Sequence, residues 1–167
     1  MSTTTHLAVL TAGGTIDKEY LLSGELGVGE PAVARTLATV VPSIAIRVTR
    51  VLAKDSLDMT DADRELLAQA VAASPERAIV ITHGTDTMAE TASYLAERIP
   101  DGVTVVLTGA LRPESVSGSD AQLNLGFALA AAQLAAPGVH VAMGARLFAA
   151  GTVRKDTATG EFVELEG

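Results

Sequence analysis

The chain has 167 residues, 48% of them hydrophobic, a formal charge of −8 and no cysteine. That length suits one domain with a sizeable core, and the missing thiols exclude disulfides and cysteine-held metal sites. The acidic balance argues against nucleic acid or an anionic membrane surface as a partner. Aromatic residues make up only 3%, so Ala, Val and Leu must fill the core.

Met1-Ser2-Thr3-Thr4-Thr5-His6 carries no basic region ahead of the short apolar run at 7–10. That run reads as a first strand, and a secretory leader is not expected. It ends in Thr11-Ala12-Gly13-Gly14-Thr15-Ile16-Asp17. Residues 17–30 hold three glycines and little periodicity, which predicts a mobile loop able to act as a lid. A helix is predicted over 31–40. Residues 44–51 alternate as an edge or half-covered strand would. Lys54-Asp55-Ser56-Leu57-Asp58-Met59-Thr60 then leads into a helix over 61–73, with Thr60 as its cap before acidic Asp61 and Asp63.

The run at 78–81 predicts a strand covered on both faces, and it ends in His83-Gly84-Thr85-Asp86-Thr87. A helix follows over 87–99, with Thr87 and Glu90 spaced as a capping box. Further buried strands are predicted at 103–107 and 139–143. The helix between them, over 120–135, has Ser119 and Gln122 at the same box spacing. Its apolar stretch, 125–136, is too short to span a bilayer and is broken by Gln133. The tail from 147 is irregular, and Thr159-Gly160 before an alternating run predicts a terminal hairpin or edge strand. This order implies a three-layer α/β domain, a doubly wound, mostly parallel sheet with right-handed crossovers. A soluble cytoplasmic protein is expected.

Two strands thus deliver Gly-Thr to one rim, and in open α/β sheets ligands bind beyond the carboxyl ends of strands. Glycine admits close backbone approach, and a β-branched threonine has few rotamers, so Thr15 presents a pre-aimed hydroxyl. A plain strand-to-loop turn explains the same residues. The spacing is neither the G-x-G-x-x-G fingerprint nor a phosphate-binding G-K-[ST]. Thr85 and Asp86 are the stronger pair, because a carboxylate at a strand mouth can hold an ammonium group while the hydroxyl attacks or orients water. His83 reads as a hydrogen-bonded structural residue. A threonine nucleophile needs a proton acceptor. Tyr20 on the predicted lid and Lys155 are the two candidates, although on its own Lys155 reads more readily as a solvated surface lysine. Ser56 is placed to donate to an anion or to make a local turn.

Thr-Ala-Gly-Gly-Thr-Ile (11–16), Ser-Leu-Asp-Met-Thr (56–60), His-Gly-Thr-Asp-Thr-Met-Ala-Glu-Thr (83–91) and Gly-Ala-Leu-Arg-Pro (109–113) occur in order, followed by Asp120 and Asn124-Leu125. Together they resemble the bacterial-type L-asparaginases from about residue 7 to residue 155. The resemblance implies that Thr15 is the acyl-forming nucleophile and that Tyr20 activates it. It implies that Thr85, Asp86 and Lys155 assist proton transfer and the hydrolytic water. Ser56 would bind the substrate α-carboxylate, Asp86 the α-ammonium, and the backbones of Thr85 and Ala110 the carboxamide. Leu57 stands at a substrate-contacting position where periplasmic members often carry Gln, so one side-chain contact to the substrate is expected to be missing. L-asparagine is the implied substrate, weak glutaminase activity is allowed, no metal or organic cofactor is needed, and a homo-oligomer is expected.

Full-length members carry a second domain that lends an acidic residue to a neighbour's amine pocket. Residues 1–167 are expected to be the N-terminal-type catalytic domain alone, as in short-chain members. A lost charge-assisted hydrogen bond of about 1.5–3 kcal/mol then predicts weaker substrate binding by roughly ten- to hundredfold. The rival readings are a non-catalytic amino-acid-binding or regulatory module and the catalytic half of an amidotransferase-like assembly.

Overall fold

Apolar residues fall where strands and helix stripes need them, and the computed structural model describes the result for residues 6–165. Residues 1–5, on which the reading of the leader rests, and residues 166–167 lie outside the described residues. The first strand, β1 (His6–Gly13), is followed by a 3-10 turn (Thr15–Asp17) and a small hairpin, β2 (Lys18–Tyr20) and β3 (Leu26–Val28). Helix α1 (Ala32–Ala38) and strand β4 (Ala45–Lys54) come next. After a second 3-10 turn (Ser56–Asp58) the chain runs through α2 (Asp61–Ala73), β5 (Ala78–Thr82), α3 (Met88–Ala96) and β6 (Thr104–Thr108). It ends with α4 (Ala121–Leu134), β7 (Gly138–Met143), β8 (Arg146–Ala149), β9 (Val153–Lys155) and β10 (Phe162–Glu164).

The main sheet has the order β4-β1-β5-β6-β7-β8, parallel except for β8. Alternate residues of its strands supply two cores. Ala8, Leu10, Ile79, Ile81, Val105 and Leu107 pack with Leu67 and Val71 of α2 and Met88 and Leu95 of α3. Leu7, Val9, Val80 and Val106 pack with Val33 of α1 and Leu125 and Ala128 of α4. Each fully buried Val, Leu, Ile or Met side chain contributes about 1.5–3 kcal/mol. With few aromatics, the alanine face of α4 (Ala121, Ala128, Ala131, Ala132) lets that helix lie close against the sheet.

The chain steps from β1 to β4 in one direction with α1 on one face, and from β6 to β7 in the other direction with α4 on that same face. The β6–α4–β7 connection is therefore opposite in hand to the other three, correcting the expectation of uniformly right-handed crossovers. The long segment 109–120 makes this reversal workable. Asp120 accepts from the amides of Leu111 (3.0 Å) and Arg112 (3.1 Å), and Glu114 N donates to Ile16 O at 3.2 Å, so the segment crosses to the face on which α1 lies.

The predicted irregular loop over 17–30 is instead the β2–β3 hairpin, with Lys18 opposite Val28 and Tyr20 opposite Leu26. Strands of three residues are too short to leave a periodic trace. The tail forms a hairpin, as expected, with Lys155 of β9 opposite Phe162 of β10. Its first part is β8, joined to β7 by Gly144 (φ 57°) and Ala145 (φ 61°), the left-handed pair of a tight hairpin turn. Thr60 and Asp63 form a reciprocal capping box. Thr87 stands at the N-cap of α3, as expected, but its side chain makes no capping bond; its hydroxyl donates to the carbonyl of Ser56 at 2.8 Å. Ser119 lies one residue before the N-cap Asp120, accepting from Ala121 N at 3.1 Å, so the predicted box with Gln122 is not made.

Candidate active site

The direction of strand addition reverses between β1 and β5, which opens a crevice beyond their carboxyl ends. Both Gly-Thr motifs stand there. Gly14 (φ 87°, ψ −176°) adopts a conformation essentially confined to glycine. A Cβ on Gly14 would strike the backbone of Gly84, and a Cβ on Gly84 would strike the side chain of Ser56. The two glycines thus let the end of β1, the end of β5 and the Ser56 turn pack backbone to backbone. Gly14 N donates to Lys54 O at 2.8 Å, which ties in the end of β4.

Thr85 is buried, and its Oγ1 accepts from Lys155 Nζ at 2.8 Å. The same ammonium nitrogen is 2.6 Å from Asp86 Oδ1. These contacts join residues about 70 positions apart in sequence, because the β9–β10 hairpin returns Lys155 to the mouth of β5. Ser56 is buried on its 3-10 turn, and its Oγ accepts from Asp86 N at 3.2 Å. Ser56, Thr85, Asp86 and Lys155 therefore form one contiguous polar group. A cleft of about 340 Å³ adjoins it, lined by Asp86, Glu90, Ser93, Arg154, Lys155 and Thr157. Another, of about 410 Å³, lies between α4, β8 and β10.

Thr15 is half-buried, and its hydroxyl has no hydrogen-bond partner among the described residues. Tyr20 ends β2 with 76% of its surface exposed. Leu57 is exposed on the Ser56 turn, and Ala110 is buried just past β6. Gly109 O beside it accepts from Asn124 Nδ2 at 3.0 Å, which steadies the backbone there. The hairpin that carries Tyr20 is anchored at its root, where Lys18 Nζ lies 2.6 Å from Asp55 and holds that carboxyl below its usual range.

Two supporting groups were not singled out from the sequence as parts of the site. Asp17 is buried two residues after Thr15; its carboxylate accepts from Ala32 N at 2.7 Å and its carbonyl from Gly29 N at 2.8 Å. It thereby clamps both ends of the hairpin. Burial raises its pKa to about 6, against the opposing pull of the Ala32 amide, Arg35 and Arg50. Behind Thr85, His83 is fully buried and desolvation lowers its pKa to about 4, so it is neutral near pH 7. It contacts Gly84 O (2.7 Å) and Thr91 Oγ1 (2.9 Å), and Arg64 Nε donates to Thr91 at 3.1 Å. The legible signal for these partners was a polar residue on the core stripe of each helix, Arg64 on α2 and Thr91 on α3. Among the described residues, no three His, Asp or Glu side chains gather as a metal ion would require. No helix there is long and apolar enough to cross a membrane.

Comparison with known proteins agrees with this architecture. A periplasmic protein of Haemophilus influenzae described as a probable L-asparaginase is 33% identical over 165 residues, 92% of this chain and 47% of the relative. A glutamyl-tRNA(Gln) amidotransferase subunit from Methanococcus vannielii is 33% identical over 146 residues, 83% of this chain and 34% of the relative. The thermostable L-asparaginase from Thermococcus kodakarensis superposes with a TM-score of 0.85 at 32% identity, covering 96% of this chain and 51% of that one. The chain thus spans about half the length of such relatives or less. The model of the asparaginase N-terminal domain matches residues 6–162, and on that match, with these relatives, the chain belongs to the asparaginase family.

Proposed function

We propose that the crevice between β1 and β5 hydrolyses the side-chain amide of L-asparagine to L-aspartate and ammonia. The observation that carries this reading is the Lys155–Thr85–Asp86 cluster, with contacts of 2.8 and 2.6 Å at a strand mouth whose glycines pack against the Thr15 motif. Thr15 Oγ1 attacks the carboxamide carbon as Tyr20, brought over the crevice by the hairpin, takes its proton. Collapse breaks the C–N bond, ammonia leaves with that proton, and the aspartyl group stays esterified to Thr15. Water then attacks the ester while Thr85 and Lys155 pass its proton, freeing aspartate and the threonine hydroxyl. Ser56 faces the α-carboxylate and Asp86 the α-ammonium; Leu57 borders the substrate, and the backbones of Thr85 and Ala110 meet the carboxamide.

No metal or organic cofactor enters these steps, and the working form is a cytoplasmic homo-oligomer. Glutamine, one methylene longer, is disfavoured by about 1–3 kcal/mol at most, so slow glutaminase turnover accompanies the main reaction. Ammonia release from both amides tests the proposal. Thr15→Ala should lower it at least a thousandfold, in line with the loss of a nucleophile elsewhere. Equal release by Thr15→Ala would remove Thr15 from the mechanism.

A second reading is favoured by the likeness to an amidotransferase component. Here the same chemistry would supply ammonia within a larger assembly. Ammonia release by the purified chain alone counts for the first reading. Release that appears only with a partner protein counts for the second. Asparagine binding without any release would leave a binding module.

A further inference from the structure

The chemistry at Thr85 requires that its hydroxyl and backbone stay fixed while Lys155 exchanges protons with it, yet Thr85 follows a glycine. Gly84 has no side chain with which to hold its own peptide. A buried line of polar groups supplies the hold from behind. Gly84 O can only accept, so His83 Nδ1, 2.7 Å away, carries the imidazole proton. His83 is neutral, so Nε2 has a lone pair and accepts from the Thr91 hydroxyl at 2.9 Å. The Thr91 oxygen in turn accepts from Arg64 Nε at 3.1 Å. Arg64 is fixed by Asp61 at 2.9 Å and Glu90 at 3.2 Å, so both helices of that face hold the far end. Every bond then points one way, from guanidinium to hydroxyl to imidazole to the Gly84 carbonyl.

We propose that Arg64, Thr91 and His83 are positioning residues that fix the Gly84–Thr85 peptide, and with it the hydroxyl on which Lys155 acts. The functional consequence rests on the hydrolase reading above; the structural part does not. The Gly84–Thr85 peptide is trans, so a carbonyl turned onto the imidazole points the Thr85 N–H away from it. Loss of the Thr91 hydroxyl leaves Nε2 and the Arg64 Nε–H without the oxygen that joined them, so the imidazole is no longer braced from behind against the Gly84 carbonyl.

The test is long-range 1H–15N correlation of the imidazole in the full chain, with His6→Gln and His140→Gln leaving His83 as the single histidine. The Nδ1–H tautomer is expected, unchanged from pH 5.5 to 8. Thr91→Val should keep the Nδ1–H tautomer but move the Nε2 resonance, shift the Thr85 amide signal and lower kcat for ammonia release about tenfold, with KM changed less than threefold. Thr91→Ser should restore all of these. An Nε2–H imidazole in the wild type overturns the proposal, as does Thr91→Val with the Thr85 amide and kcat unchanged. Should Thr91→Val fail to fold, the wild-type tautomer and the Thr91→Ser rates decide. If the wild type releases no ammonia, the hydrolase reading falls, and the two spectroscopic signals alone judge the line.

Discussion

The Gly14-Thr15 and Gly84-Thr85 motifs share a sequence pattern and a rim, but they differ in what supports them. Behind Thr85 the chain is buried, with His83 at its back and Lys155 and Asp86 in front. After Thr15 the chain turns at once into a hairpin with Leu22 fully exposed and Tyr20 mostly so. The contrast shows how one crevice combines a preassembled half with a half that reaches into solvent. A burial rule unites them. Asp17 under the first motif is raised to about 6 and His83 under the second is lowered to about 4, both chiefly by desolvation. Both shifts favour the uncharged group.

The largest effect expected within this comparison lies on the preassembled side. Lys155→Met should reduce kcat by about 10²–10⁴, the usual span for a proton-transfer group. A reduction below tenfold would demote the whole Thr85 half to scaffold. Next come the glycines. Gly14→Ala should cost about 3 kcal/mol or more in urea unfolding, because a strained φ adds to a collision with Gly84. Gly24→Ala, at φ 83° with open space around it, should cost only about 1–2 kcal/mol. Similar losses at both would show that close approach of the motifs is not what Gly14 provides.

Asp17 gives an effect that depends on pH. Its folded pKa of about 6 lies above the usual 3.8, so the folded state binds the proton more tightly. Stability is then fully present below pH 3.8, falls as pH rises towards 6, and is level beyond. Asp17→Asn keeps an acceptor for Ala32 N without the charge. It should stabilise the chain at pH 8 by up to about 3 kcal/mol, and little at pH 4. Melting curves of both proteins at the two pH values check this; a gain that ignores pH would mean the carboxylate is not desolvated. The smallest effect should be at the hairpin tip, where Leu22→Ser is expected to change stability by less than about 0.5 kcal/mol. A larger loss would place the tip against the body of the protein and weaken the contrast.

Sequence periodicity located the strongly patterned elements well, since buried strands at 78–81 and 103–107 need apolar residues on both faces. Boundaries moved where local signals faded. The edge strand predicted over 44–51 runs on to Lys54, and the helix predicted over 31–40 is only Ala32–Ala38. The β2–β3 hairpin left no trace, because its strands are three residues long and none of their residues is buried, so burial imposes no pattern on them. Thr87 takes the N-cap position without forming the box: its spacing to Glu90 is right, but the Ser56 carbonyl competes for its hydroxyl. The motifs were legible residue by residue, while the Arg64–Thr91–His83 line was not, because its three members come from separate elements.

The sequence by itself determined the fold class, the two Gly-Thr strand ends and the identity of the hydroxyl, carboxylate and amine groups, because these follow from local pattern and side-chain chemistry. Only the tertiary structure decided that β1 lies between β4 and β5, that Lys155 meets Thr85, and that the α4 crossover is opposite in hand. Those outcomes depend on which faces pack together and on where the β9–β10 hairpin can return, and packing couples residues far apart in the chain that no local pattern relates.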